Sequence, residues 1–161
     1  MRAVLVDTSA LYALADRREL RHEEAANFYR ASTAAFVLPH LIFAETMSLL
    51  TKRAGKGLAV SFGRSLKEGT RFQIQTVEPA LQDAAWRLFS GGLRDKEFDL
   101  IDCACFALME ASGIRDAFTF DRHFAQAGYR MLPGEGGARL AEEPPAYEAR
   151  RRRRGAGSRV S

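Results

Sequence analysis

The chain has 161 residues, 47% of them hydrophobic, which is enough for one domain with its own core and too few to expect two. No apolar run approaches the roughly eighteen residues of a membrane span, and no charged-then-apolar leader with a cleavage site is visible, so a soluble cytoplasmic protein is expected. The net charge of +4 belongs to the tail: six of the 24 basic residues fall within residues 150–161, leaving residues 1–149 with 18 basic and 20 acidic residues. The folded body is therefore mildly acidic, and the arginine run reads as a solvated segment with nonspecific attraction for nucleic acid.

Residues 3–6 are an unbroken apolar run that predicts a buried strand, and it leads straight into Asp7, Thr8 and Ser9. Ala10, Leu11 and Leu14 then recur at helical spacing until Asp16-Arg17-Arg18 breaks the pattern, making a first βα unit. Asp is a favoured helix cap, which accounts for Asp7 locally. Its place at the carboxyl end of a strand is also where open α/β sheets keep their ligand sites. A more polar helix is predicted over residues 22–31, and residues 35–38, closed by Pro39, read as a second buried parallel strand. The next helix spans about residues 40–52, with Leu41, Ile42, Leu49 and Leu50 as its apolar stripe. Glu45 lies four residues from both Leu41 and Leu49 and so points along that stripe toward the core or a cleft. A buried ionised carboxylate there requires a partner or a cation.

A weaker helix with Gly63 inside it covers residues 58–66, and residues 72–77 alternate apolar and polar as a strand does. Leu81, Ala84, Ala85, Leu88 and Phe89 form the stripe of an amphipathic helix over 79–89, with Trp86 packing beside it. After a charged loop over 94–97, Asp99 caps a helix that runs to a stop at Gly113. Asp102 precedes Cys105, Phe106 and Met109 by three, four and seven residues and so faces inward near the helix start, where the helix dipole favours a carboxylate. Cys103 and Cys105 stand two apart on different faces, against a disulfide or a zinc site. Residues 117–120 read as another buried strand ended by Asp121, before a short helix containing Arg122, His123 and Phe124, which repeats the Asp7 arrangement. Residues 129–132 are a last edge strand. Beyond Pro133 the composition turns to Gly, Glu, Pro and Arg, giving a domain over 1–134 and a disordered tail over 135–161.

Alternating strands and helices predict a three-layer α/β/α fold with a mostly parallel sheet of four to five strands. In it Asp7 and Asp121 share one sheet edge, and Glu45 and Asp102 reach in from flanking helices. Two like charges about 4 Å apart repel by ~4 kcal/mol at an effective dielectric near 20, so the four acids require a cation. Oxygen ligands select a hard ion, Mg²⁺ or Mn²⁺, and such an ion suits phosphodiester hydrolysis.

The spaced set Val6-Asp7-Thr8-Ser9, Ala44-Glu45, Leu100-Ile101-Asp102-Cys103 and Thr119-Phe120-Asp121-Arg122-His123-Phe124 resembles the PIN-domain family, in particular the stand-alone ribonuclease toxins of VapBC-type toxin–antitoxin pairs. The resemblance covers about residues 3–132 and implies a PIN-like fold and Mg²⁺-dependent RNA cleavage. It also implies an acidic quartet of Asp7, Glu45, Asp102 and Asp121, a cognate antitoxin and a homodimer. Ser9 and Thr119 match positions whose hydroxyls support the acids or the metal's water, and Thr8 and Asp99 are counted beside them. Ser48 stands where many relatives carry Asn three residues after the helix acid, and the arginine tail has no counterpart in the pattern.

Two other phosphate chemistries fail on the residues. A haloacid-dehalogenase phosphatase needs an Asp two residues after the first, where Ser9 stands. A receiver domain needs paired acids before its acceptor strand and a lysine after a late one. The remaining rival is a catalytically silent PIN-like module that binds RNA or protein. His22, His40 and His123 offer no transition-metal spacing, and His123 is read as a surface or loop residue within reach of phosphate.

Overall fold

Four consecutive residues of strand β1 (Ala3–Val6) carry their side chains into the centre of a five-stranded sheet, because neighbours cover both faces. The computed structural model describes residues 2–93 and 96–134, so the expected tail over 135–161 and half of the charged loop lie outside the described residues. From β1 the chain passes through α1 (Thr8–Ala15) and α2 (His22–Ala31) to β2 (Ala35–Pro39), then through α3 (His40–Arg53) and α4 (Lys56–Glu68) to β3 (Phe72–Gln75). It continues through α5 (Pro79–Arg87), a π-helical turn (Leu88–Gly92) and α6 (Leu100–Ser112) to β4 (Asp116–Phe118), and ends with α7 (Arg122–Gln126) and β5 (Arg130–Leu132).

The strand order is β3-β2-β1-β4-β5, and every pairing is parallel. With right-handed crossovers, the helices that carry the chain from β1 outward to β3 lie on one face and those that lead to β4 and β5 lie on the other. The order reverses between β1 and β4, which makes the crevice beyond their carboxyl ends the topological switch point of the sheet. Aromatic rings fill both sides: Phe28 of α2 meets Phe36 and Phe118, while Phe106 of α6 meets Phe124 and Tyr129.

Several expected elements shift. β4 runs over Asp116–Phe118 rather than 117–120, because at Thr119 the chain turns off the ladder with a last bond from its N–H to the Leu132 carbonyl. The α3 stripe is Ile42, Thr46 and Leu50, and Leu41 is 39% exposed. Trp86 is not packed into the core: one position past the buried Ala85 it points about 100° away from the stripe and is 56% exposed, while the π-helical turn that follows rotates Phe89, at the end of the predicted stripe, outward beside it. Cys103 and Cys105 are both buried and free, since α6 is buried all round from Asp102 to Met109. Gly63 marks the close approach of α4 to α3, where an added Cβ would lie 2.8 Å from the Met47 sulfur.

Candidate active site

Asp7 leaves the end of β1 and caps α1, so its local role and its place at the switch point coincide. One carboxylate oxygen, Oδ2, accepts from the Ser9 amide at 3.3 Å, the Ser9 hydroxyl at 2.8 Å and the Thr119 hydroxyl at 2.8 Å. With those hydrogens spent on Asp7, the two hydroxyl oxygens accept backbone amides of the β4–α7 turn: Phe120 N–H donates to Ser9 Oγ and Asp121 N–H to Thr119 Oγ1, both at 2.9 Å. The first βα junction is thereby pinned to the last. Asp7 is only 7% exposed, and burial raises its carboxyl above the usual range by more than these hydrogen bonds lower it.

Across the crevice, Asp99 and Asp102 form a reciprocal capping box at the start of α6: Asp102 N–H donates to Asp99 Oδ1 at 2.7 Å and Asp99 N–H to Asp102 Oδ2 at 3.2 Å. Asp102, which the sequence left without a capping role, therefore has one. Burial, followed by the neighbouring Asp99 charge, pushes its carboxyl up to about 6. Asp121 sits in the turn after β4 rather than at the strand end, and it caps α7 by accepting from the His123 amide at 2.9 Å. In this turn His123 aims Nδ1 at the crevice, 2.8 Å from Asp102 Oδ2 and 3.6 Å from Asp121 Oδ2, with its ring edge-on to Phe98. Burial alone would lower the imidazole, but the hydrogen bond to Asp102 and the Asp121 charge raise it. The surface or loop assignment of His123 is thus corrected: the sequence signal was its place two residues after a capping acid.

Glu45 reaches the crevice from α3 and accepts a hydrogen bond from the Thr8 hydroxyl, so Thr8 serves Glu45 rather than Asp7. Ser48 is exposed on the same helix. Asp7, Glu45, Asp99, Asp102 and Asp121 all line one open cavity of about 380 Å³, together with Thr8 and Ser9. The buried Thr119 supports it from behind. Among the described residues, none of these five acids forms an ion pair with Lys or Arg. Three of the groups, Asp102, Asp121 and His123, each offer a ligand atom within 4.8 Å of the others. Asp7 and Glu45 line the same cavity but fall outside that set. Two carboxylates and an imidazole, with further acids close by and no arginine paired to them, are a donor set that fits a divalent cation.

Among the described residues no helix is long and apolar enough to cross a membrane. The chain is 28% identical over 126 residues to the 23S rRNA-specific endonuclease VapC20 of Mycobacterium tuberculosis, in both the CDC 1551 / Oshkosh and H37Rv strains, spanning 78% of this chain and 95% of that protein. The crystal structure of M. tuberculosis VapC20, described as a sarcin-ricin loop cleaving toxin, superposes with a TM-score of 0.73 at 27% identity, over 78% of this chain and 95% of that one. A chain of a toxin–antitoxin complex from Klebsiella pneumoniae shares the fold, with a TM-score of 0.54 at 16% identity over 83% of this chain and 93% of that one. The PIN domain model matches residues 4–128, and with the parallel sheet and the acids at its switch point this chain belongs to the PIN-domain family.

Proposed function

We propose that this protein is a metal-dependent endoribonuclease that hydrolyses RNA phosphodiester bonds and acts as the toxin of a type II toxin–antitoxin pair. The observation that carries this reading is the gathering of six carboxylates, Glu19 included, around the cavity at the switch point, none of them ion-paired to a lysine or arginine among the described residues. Asp102 and Asp121, with Asp7 opposite, are the residues to hold Mg²⁺ or Mn²⁺, and His123 is poised to join them or to hold Asp102 in place. When bound, the ion supplies a water of lowered pKa and offsets charge on the phosphoryl oxygens. Ser9 and Thr119 hold Asp7 in one rotamer, so its second oxygen keeps a fixed aim into the cavity. Glu45, steadied by Thr8, is the acid left to orient the attacking water and accept its proton. The relative's name makes ribosomal RNA the first substrate to try.

Capping favours a second reading. Asp7, Asp99, Asp102 and Asp121 all stabilise helix starts, and a silent binding module would keep them for that reason alone. Neither Glu45 nor the aim of His123 is explained that way. The deciding experiment measures RNA cleavage with and without EDTA, with Mg²⁺ restored afterwards, alongside Asp121→Asn. The nuclease reading expects cleavage that EDTA abolishes, Mg²⁺ restores and Asp121→Asn lacks. Cleavage indifferent to EDTA overturns the metal-dependent reading, and RNA bound but never cut leaves the silent module.

A cognate antitoxin and a homodimer complete the proposal. A cavity lined by six acids and two arginines keeps an excess of negative charge that suits a further guanidinium, which pairs bidentately with carboxylates and competes with a metal. Co-expression with the product of an adjacent small gene is expected to yield a co-purifying, inactive complex. Sedimentation of the free protein as a monomer at high concentration would remove the dimer.

A further inference from the structure

We infer that Arg21 and Arg53 are the phosphate-binding residues of the acidic cavity, gripping backbone phosphates of the RNA next to the one that is cut. This rests on the ribonuclease reading above and goes beyond it by naming the residues that seat a polyanion against an acidic wall.

Arg21 and Arg53 are the two cationic side chains among the described residues lining the cavity. Neither is spent on the acids there. The one ion pair of Arg21, the residue just before α2, is with the half-buried Glu24 in that helix's first turn, and Arg53 forms none among the described residues. Each guanidinium instead lies over an aromatic ring: Arg21 is 5.0 Å from the centre of Phe120, and Arg53 is 5.8 Å from that of Tyr12. A guanidinium seated over a ring by cation–π attraction leaves N–H donors for an anion, at Arg21 those of Nε and Nη2 since Nη1 is bonded to Glu24, and phosphate geometry matches that fork.

Phe120 is tied to the acids by hydrogen bonds, and Tyr12 stands on α1, the helix that Asp7 caps. The Phe120 amide donates to Ser9 Oγ, which in turn donates to Asp7. The Tyr12 hydroxyl donates to Asp16 Oδ2 at 3.2 Å, and Asp16 is held by a two-pronged contact from Arg18 at 3.0 Å. The arginines are thus positioned on the same scaffold that aims the acids. A cation among the carboxylates offsets the charge of the scissile phosphate, but the adjoining phosphates still face acidic walls and need cations of their own.

The test uses the full chain and a single-stranded RNA oligonucleotide, with Ca²⁺, a larger and less strictly octahedral ion, replacing Mg²⁺ so that the RNA is seated without being cut. Its affinity is measured between about 50 and 200 mM salt, where each lost phosphate contact lowers the log–log salt slope by roughly 0.7. The double variant Arg21→Gln/Arg53→Gln is expected to lose about 1.4 of slope. Arg64→Gln, an exposed arginine of α4 outside this cavity, is expected to lose none. The lysine double variant Arg21→Lys/Arg53→Lys keeps the charge and is expected to keep the slope, and it serves if the glutamine pair fails to fold. With cleavable RNA, the glutamine variant raises KM and leaves kcat unchanged, because binding is lost equally from ground and transition states. A double variant with the wild-type slope and KM overturns the inference and leaves the nuclease reading standing, as does an equal loss in Arg64→Gln, which would make the effect one of net charge. Wild-type protein that neither binds nor cuts RNA overturns both.

Discussion

At the amino edge of the sheet, the buried Asp116 takes a guanidinium from each side, Arg130 Nε on one oxygen and Arg2 Nε on the other, both at 2.5 Å. At the carboxyl edge Asp7, buried to a similar degree, has only hydroxyls and an amide. Burial raises both carboxyls, but at Asp116 the hydrogen bonds from Arg130 and Arg2 more than offset it and hold the group low, whereas at Asp7 burial prevails. The same chemical group in the same sheet is neutralised by the chain at one edge and left for something external at the other. Charge that the fold satisfies internally is structural; charge that it leaves open at the switch point marks where a cation and a substrate are expected.

The sharpest way to break the comparison is to remove the open charges. Asp7→Asn or Asp121→Asn should lower RNA cleavage by more than the roughly 10–100-fold typical of losing an outer-shell partner of a metal. In EDTA the melting temperature of Asp7→Asn should stay the same or rise, since the amide still caps α1 while its repulsion is gone. A drop in melting temperature with cleavage retained would make Asp7 the structural group and erase the contrast.

Asp116→Ala should do the reverse, leaving cleavage intact at low temperature while costing about 2–3 kcal/mol of stability by denaturant titration. This is below the ~3–5 kcal/mol of a fully buried pair, because Arg2 and Arg130 are partly exposed and can turn to water. Metal withdrawal probes the carboxyl edge alone: at a hundred times its Kd, Mg²⁺ should stabilise wild-type protein by about 2.7 kcal/mol, visible as a melting shift that Asp121→Asn lacks and Asp116→Ala keeps.

The smallest effect concerns Asp16, a third carboxylate that the chain satisfies locally: hydrogen bonds from the Arg18 side chain and amide hold it down at about 2. Because its folded pKa lies below the unfolded value of about 3.9, its contribution is complete above pH ~4 and lost as pH falls toward 2. Wild-type protein should therefore lose slightly more stability than Asp16→Asn across that window, and parallel acid melts of the two would remove the assignment.

The sequence was legible where the determinant is local. Hydrophobic runs and turn residues over a few positions set β1, β2 and the helix starts, and an acid directly after an apolar strand was enough to find Asp7. Asp121 is found for the same reason, although the expected strand before it ends two residues later than β4 does. The stripe of α3 was misjudged because periodicity ranks Leu above Thr, while packing buried Thr46 and left Leu41 outside. Phe89 departs from the predicted stripe because a π-helical turn is invisible to a 3.6-residue period.

By itself the sequence determined the alternation of strand and helix and the acids that begin helices, since both depend on neighbours within one or two turns of chain. Only the tertiary structure decided which charges are answered. Arg2 meets Asp116 across 114 positions, Thr119 meets Asp7 across 112, and His123 meets Asp102 across 21. No local pattern encodes such meetings, because they follow from the strand order that sets β4 beside β1 and from the register that brings Val6 level with Phe118. That order leaves one edge of the sheet electrically complete and the other open.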